Sequence, residues 1–141
     1  MKIKSKDEPY TEYYNSDVIK EEGTYKNGKK NGSFISFHEN GNKFHVGNYK
    51  NDLKHGPFID YYDTGEKWFE GEYKDGILEG PYMWFHKNVK TDRVVNIKDD
   101  MYHGPFIKYY KNGNKEQEVI WENDDIINII DYDENGQIIE K

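Results

Sequence analysis

A unit of 24 residues recurs along this chain, and one copy of it, residues 47–70, has the sequence GNYKNDLKHGPFIDYYDTGEKWFE. Near the centre of each unit stands a proline or, once, a serine, always 24 residues from the next: Pro9, Ser33, Pro57, Pro81 and Pro105. A fixed period of this length is typical of chains built by stacking one small unit, whose apolar face is buried only by its neighbours. We therefore predict a single repeat domain over residues 1–141.

The register of the prolines divides the chain into a half unit, four complete units and a degenerate last unit that closes the C-terminal end. Their bounds are 9–22, 23–46, 47–70, 71–94, 95–118 and 119–141. Each complete unit carries two turn signals, as in Asn27-Gly28 and Asn40-Gly41, where the central residues adopt positive φ at little cost. The segments between turns have roughly 6–8 residues, which is the usual length of a strand.

These signals predict an all-β fold: an elongated antiparallel β-meander of stacked hairpins, with roughly ten to twelve strands in a single-layer twisted sheet. The two edges of such a sheet need protection against pairing with other chains. We expect the charged N-terminal residues to cap one edge. The acidic last unit, which includes Asp125 and Asp131, is expected to cap the other.

Alternation along the strands predicts which side chains are buried. In the strand that follows each turn and proline, one side is apolar in every unit, and we expect this side to face the interior. It consists of Ile35, Phe37, Ile59, Tyr61, Met83, Phe85, Ile107 and Tyr109. In the companion strand, glycines such as Gly47 and Gly71 leave room for a neighbouring ring. Val95 and Val119 replace these glycines in later units, so we expect the packing to change there.

The other side of the same strand begins with an aromatic row: Phe34, Phe58, Tyr82 and Phe106. The row has two interpretations, which the sequence leaves open. It packs over the second face of a thin sheet, or it forms an exposed strip for binding a partner, together with Trp68 and Trp84. Large apolar side chains concentrate around the start of the third unit, in Trp68, Phe69, Tyr82, Met83, Trp84 and Phe85, and Trp84 stands where other units have Ser, Asp or Lys. We therefore predict the partner-binding site there.

Composition limits the class of partner. The hydrophobic fraction is only 34%, but 13 Tyr, 7 Phe and 3 Trp supply enough apolar surface for a folded chain. A net charge of −7 disfavours nucleic acid and anionic membranes as partners. The N-terminus lacks an apolar leader and no long apolar run follows, so we expect a cytoplasmic protein.

Catalytic chemistry finds little support in the sequence. His55 and His103 occupy equivalent places two units apart, a separation of roughly 20 Å at strand spacing, which is too far to share a metal ion. We expect the histidines to be structural or solvated, because no nucleophile, phosphate-loop or metal-ligand spacing accompanies them. The prediction is that the chain is not an enzyme and has no catalytic residue, no metal site and no cofactor.

The segment from Phe69 to Gly80, FEGEYKDGILEG, resembles the MORN repeat in its spacing of aromatic residues and glycines, and residues 47–56 are similar. The 24-residue period and the Pro-Phe-Ile-x-Tyr-Tyr segment look like the bacterial variant of that repeat, known from antitoxin and immunity proteins. The resemblance spans about residues 9–136 and implies the hairpin fold predicted above. The glycines lost at Val89, Val95 and Val119 depart from the pattern and weaken the expected regularity of the C-terminal third.

The resemblance implies a non-catalytic module that binds another protein, in particular an antitoxin or immunity protein that occludes a toxin. Two alternatives remain open. One is a membrane-associated or structural scaffold, which the short basic cluster Lys2, Lys4 and Lys6 supports poorly. The other is a binder of carbohydrate or cell-wall material through its aromatic ladders, although the chain lacks the Gly-Trp signature of such repeats. The oligomeric state is not predicted.

Overall fold

The computed structural model describes residues 7–15 and 17–141, so the predicted N-terminal cap residues up to Lys6 lie outside the described part. That part contains fifteen strands in one sheet and no helix. Their bounds are β1 Asp7–Tyr13, β2 Ile19–Lys26, β3 Lys29–Lys30, β4 Gly32–Phe37, β5 Lys43–Lys50, β6 Leu53–Lys54, β7 Gly56–Tyr61, β8 Lys67–Lys74, β9 Ile77–Leu78, β10 Gly80–Phe85, β11 Thr91–Lys98, β12 Met101–Tyr102, β13 Gly104–Tyr109, β14 Lys115–Glu122 and β15 Asp125–Asp131.

The sheet is an antiparallel meander that follows the chain. Its order is β1-β2-β4-β5-β7-β8-β10-β11-β13-β14-β15, and the two-residue strands β3, β6, β9 and β12 each pair with the long strand before them. The starts of β4, β7, β10 and β13 lie 24 residues apart, which is the period of the sequence. The predicted all-β fold of stacked hairpins in one open layer is confirmed.

Both predicted kinds of turn are present. At the first turn of each unit the two central residues have positive φ, as at Asn27 (53°) and Gly28 (76°), which is the geometry of a two-residue hairpin loop. At the second turn one glycine has positive φ, as at Gly41 (88°) and Gly113 (94°). In the third unit Val89 takes this place with φ 70°, and the turn closes in the same way, with the Val89 N–H donating to the His86 carbonyl at 2.9 Å.

The sheet buries the aromatic row rather than the side that was expected to face the interior. Phe34 and Phe58 are each 3% exposed and Tyr82 is 5% exposed. The expected interior residues are all half-buried: Ile35, Phe37, Ile59, Tyr61, Met83, Phe85, Ile107 and Tyr109. That prediction was wrong about which side packs most closely. We call the side that carries the buried rings the ring face, and the opposite side the aliphatic face.

Glycines opposite the rings explain this choice of face. Phe34 pairs with Gly47 and Phe58 pairs with Gly71 across adjacent strands. A Cβ atom on Gly47 would lie 3.2 Å from Phe34 Cε1, and one on Gly71 would lie 2.7 Å from Tyr82 Cε2. The rings therefore lie flat over main chain that has no side chain of its own, and they become buried in a sheet only one layer thick.

Tyrosines of the companion strands complete this packing. The Phe34 ring centroid lies 4.2 Å from that of Tyr49, and the Phe58 centroid lies 4.6 Å from that of Tyr73. Where valine replaces glycine the packing changes, as expected. Val95 is itself buried and joins Phe58 and Tyr82 in the core.

A β-bulge recurs in the second hairpin of each unit. In β8 it places Trp68 outside the regular pairing, because Asp60 pairs with Phe69 while the next residue, Tyr61, pairs with Lys67. The equivalent bulge positions in the other units are Lys20, Phe44, Asp92 and Glu116. A bulge reorients the side chain that it carries. Each of these units therefore has one residue of variable type whose side chain is reoriented at the bulge.

Candidate functional site

A continuous row of unlike side chains crosses the ring face, next to the buried rings. Strand pairing connects its members one to the next across nine strands of the meander. In order they are Glu21, Ser36, His45, Asp60, Phe69, Trp84, Arg93, Lys108 and Gln117. We call this set the variable row, because each unit contributes residues at the same places but the residue types differ from unit to unit.

The row begins with a carboxylate held by three donors. Glu21 Oε1 accepts hydrogen bonds from Lys30 Nζ at 2.6 Å and from the Tyr10 hydroxyl at 2.7 Å, and its Oε2 accepts one from Ser36 Oγ at 2.9 Å. Burial alone would raise the pKa of Glu21, but the hydrogen bonds outweigh burial, and the pKa lies below its ordinary value. Burial and the bond to Glu21 raise the pKa of Tyr10. This end of the row is a fixed, ionised site.

Next along the row is a buried pair of titratable side chains. His45 and Asp60 are each 6% exposed, and His45 Nδ1 contacts Asp60 Oδ1. The imidazole stacks between Phe34 and Phe58, with ring centroids 5.1 and 5.3 Å away. A hollow of about 300 Å³ lies over this part of the row and is lined in part by Glu21, Ser36, His45 and Asp60. His45 Nε2 has no hydrogen-bond partner within the described structure.

The centre of the row is aromatic. Phe69 and Trp84 lie with their ring centroids 6.1 Å apart, and Tyr82 lies 5.5 Å from Trp84. The bulge residue Trp68 extends the cluster, because its ring lies 5.0 Å from Phe69 in an edge-to-face arrangement. Trp68 is 37% exposed, so the cluster reaches from the core to the surface. Such clusters supply rigid contact area at low entropic cost.

Beyond the aromatic centre the row becomes cationic. Arg93 Cζ lies 5.6 Å above the Trp84 ring, a cation–π contact, and its guanidinium also pairs with the bulge residue Asp92 at 2.9 Å. Lys108 Nζ pairs with the next bulge residue, Glu116, at 2.9 Å. The two cations are half-exposed, so a partner can exchange these carboxylates for its own.

The predicted binding residues therefore divide into two groups. Phe34, Phe58 and Tyr82 are buried and Phe106 is half-buried. The aromatic row that these four residues form therefore packs within the sheet and is not an exposed strip. Trp68 and Trp84 remain accessible in part. Met83, which alternation assigned to the apolar side of its strand, lies on the aliphatic face opposite Glu70 and outside the aromatic cluster.

Sequence reasoning did not assign His45, Asp60 or Arg93 to the site. A signal for them was present in the sequence of the companion strand. One position of that strand varies from unit to unit, as the position of Trp84 does in the strand before it. The residues at the first position are His45, Phe69, Arg93 and Gln117, and those at the second are Ser36, Asp60, Trp84 and Lys108. Only strand pairing shows that the two variable sets interleave into one row.

The remaining histidines are spread over the sheet. His38 and His86 contact main-chain carbonyls of the following unit, and His55 lies 3.3 Å from Asp75 at a hairpin. Among residues 7–15 and 17–141, no group of three or more His, Cys, Asp or Glu side chains is arranged to hold a metal ion. The same residues include no helix that is long and apolar enough to cross a membrane.

Comparison with known families agrees with the repeat seen in the fold. A family model described as "MORN repeat variant" matches residues 9–27, 30–51, 54–75 and 102–123, which is more than half of the chain. The matched segments leave out residues 76–101, where Trp84, Val89 and Arg93 lie. No significant match was found among curated proteins.

Proposed function

Because the chain belongs to the MORN repeat variant family, we propose that it is a non-catalytic module that binds another protein through the aromatic centre of the variable row. The observation that carries this proposal is the partly exposed cluster of Phe69, Trp84 and Trp68 beside the cation Arg93. The cluster is built on strands and held by the buried rings, so it needs little ordering when a partner binds.

The third unit supports this assignment because it departs from the rest of the repeat. Trp84 stands where the other units have Ser36, Asp60 and Lys108. A large aromatic side chain is not needed for the fold at a position that also accepts serine. Its presence in one unit only is consistent with a contact for a partner.

The chemistry of the row favours a partner with an apolar anchor and a neighbouring carboxylate. The anchor would pack on Trp68 and Trp84, and the carboxylate would replace Asp92 on the Arg93 guanidinium, which is well suited to paired hydrogen bonds. The bulge residues lie beside the row, so they would contribute to specificity.

A more specific form of the proposal is an antitoxin or immunity role, in which the module occludes a toxin in the cytoplasm. The net charge of −7 supports it physically, because an acidic protein is attracted over distance to a basic surface such as that of a nuclease. In this form the acidic surface speeds encounter, and the aromatic centre provides the lasting contact.

The experiment is affinity capture from the source cells, followed by calorimetry with each purified candidate partner. Trp84→Ser inserts the residue that the repeat itself uses at Ser36, and we expect it to weaken binding at least tenfold (about 1.4 kcal/mol). Ile77→Ser, an exposed apolar residue at a hairpin of the same unit, is the matched control and should bind as the unchanged protein does. Equal affinity of the Trp84→Ser variant would remove the aromatic centre from the interface.

A further inference from the structure

The first turns of successive units lie side by side and form a rim along one side of the sheet. We call the five residues around each first turn a tip, and the tips are residues 26–30, 50–54, 74–78, 98–102 and 122–126. Hydrogen bonds join neighbouring tips: the Asp52 N–H donates to the Lys30 carbonyl at 2.9 Å, and the Gly76 N–H donates to the Lys54 carbonyl at 2.8 Å. The rim is therefore one surface and not a set of separate loops.

The middle of this rim is apolar and exposed. From the first tip to the fifth, one position of the tip holds Lys29, Leu53, Ile77, Met101 and Asp125. Its three apolar members are 47%, 50% and 42% exposed. A shallow hollow of about 460 Å³ is lined in part by Ile77 and Leu78 of the third tip and by Asp99 of the fourth. The centre of the rim can thus take up apolar side chains.

Charge changes sign along the same rim. The net charges of the five tips are +3, +1, 0, −1 and −3 in chain order. At the first tip Glu21 binds Lys30, and Asp7 lies opposite Lys26, but Lys29 is exposed. The charged residues of the fifth tip are all acidic and exposed: Glu122, Asp124 and Asp125. An apolar centre therefore lies between a cationic end and an anionic end.

The spacing of the tips fits an extended polypeptide. Adjacent strands lie about 4.8 Å apart, so equivalent residues of neighbouring tips, which are two strands apart, are separated by roughly 10 Å. An extended chain covers this distance in about three residues. A second copy of the sheet would fit less well, because the twist between adjacent strands turns the rim away from a rigid partner. A flexible segment can follow that twist.

We propose that this rim binds a flexible segment of another protein, which is acidic at one end, apolar in the middle and basic at the other end. Its acidic end lies over Lys29 and its basic end over Asp125, and its apolar side chains pack on the three tips between them. The opposed charges set the direction of the segment, and apolar burial holds it. The rim shares no residue with the variable row, so either proposal can fail without the other.

A synthetic peptide tests the proposal directly. The probe has about 13 residues, with two glutamates at one end, leucine at every third position in the middle and two lysines at the other end. The control peptide has the same composition, but each end carries one glutamate and one lysine. We expect calorimetry to show that the probe binds at least about tenfold more tightly than the control peptide. Equal affinities, or no binding of the probe, would overturn the proposal.

Charge reversal in the chain tests the polarity of the rim. Lys29→Glu makes both ends acidic and should weaken binding of the probe by about tenfold. Lys43→Glu is the matched control, because it changes the net charge equally at an exposed position of the opposite rim, and it should leave the affinity unchanged. Adding Asp125→Lys to Lys29→Glu restores opposed ends, and the probe should bind again in the reverse direction. A double variant that binds no better than Lys29→Glu would contradict the proposed polarity.

Ile77→Ser separates this surface from the variable row. It removes the central apolar contact of the rim and should weaken the probe by about tenfold, whereas a partner of the variable row should keep its affinity for the same variant. Circular dichroism confirms that each variant is folded. Unchanged affinity of the probe for Ile77→Ser would overturn the assignment of the rim and leave the proposed function untouched.

Discussion

The imidazole of His38 contacts the main chain of the next unit: its Nε2 lies 2.9 Å from the carbonyl oxygen of Tyr61. A carbonyl oxygen only accepts, so Nε2 carries the proton and donates. The same contact recurs every 24 residues with tyrosine and histidine alternating at the donor position, from Tyr14, Tyr62, His86 and Tyr110 to the carbonyls of Phe37, Phe85, Tyr109 and Tyr132. A side-chain ladder therefore ties each unit to its neighbour.

Removing one donor of this ladder should weaken the junction between two units. Tyr62→Phe keeps the ring but deletes the hydroxyl that donates to the Phe85 carbonyl at 3.0 Å, so we expect a loss of about 1 kcal/mol in the free energy of unfolding. Urea denaturation measures it. His38→Tyr supplies the hydroxyl that the repeat uses elsewhere and should change stability little. A larger loss for His38→Tyr than for Tyr62→Phe would contradict the ladder.

The glycines beneath the rings should differ in their tolerance of a side chain. Gly71→Ala would place a Cβ atom 2.7 Å from Tyr82 Cε2, whereas the closest contact at Gly47 is 3.2 Å. We expect a loss of roughly 1–3 kcal/mol for Gly71→Ala and a smaller one for Gly47→Ala, measured by thermal or urea unfolding.

The clash with the ring can be separated from other effects of the alanine by a double-mutant cycle. In a Tyr82→Leu background the ring is gone, so Gly71→Ala should cost clearly less than it does in the unmodified chain. An equal cost in both backgrounds would mean that the ring is not what excludes the side chain.

Val89 carries backbone strain that a single substitution should relieve. It has φ 70°, a left-handed conformation that is unfavourable for a β-branched residue. Other units place glycine at this turn position, as at Gly113. We expect Val89→Gly to raise the free energy of unfolding by about 0.5–1 kcal/mol, after allowance for the added freedom of glycine in the unfolded chain. Gly113→Val is the reverse control and should destabilise the fold.

Lowering the pH should remove the contribution of Glu21 to the free energy of unfolding. Because hydrogen bonds hold the pKa of Glu21 in the folded chain below its unfolded value of about 4.3, its ionised form stabilises the fold above that pH. The contribution is lost as the pH falls through the folded pKa. Glu21→Gln should therefore lower the urea midpoint at about pH 7, and the difference from the unmodified chain should shrink towards about pH 3.

Glu12→Gln provides the control for this titration. Glu12 lies 3.9 Å from the same lysine, Lys30, but it is largely exposed, and exposed pairs contribute little. Its substitution should leave the midpoint almost unchanged at either pH. A pH-independent loss in Glu21→Gln would show that packing, and not charge, is what that side chain provides.

Some features of the fold could be predicted from particular residues of the sequence. The pairs Asn27-Gly28 and Asp75-Gly76 predicted their hairpin loops, because positive φ is a local property of the residues that adopt it. The bulge at Trp68 and the hydrogen-bond ladder that includes His38 could not be predicted from the sequence. Both depend on the partner that a strand or side chain meets one unit away, which the local sequence does not specify.

The candidate site was predicted in part. Trp84 could be identified because it breaks a repeated pattern, but Arg93 and His45 could not be joined to it before strand pairing was known. The row formed by Phe34, Phe58 and Tyr82 remained ambiguous between packing and binding, because an alternating strand has apolar residues on both sides.

The sequence alone determined the repeat, the turns and the antiparallel meander, because the 24-residue period and the turn residues act locally and recur in every unit. Tertiary structure decided which face is buried and which residues form the site. In a single-layer sheet both faces are partly apolar, so burial depends on whether a ring such as that of Tyr82 finds a glycine such as Gly71 across the strand. That match exists only once the strands are paired.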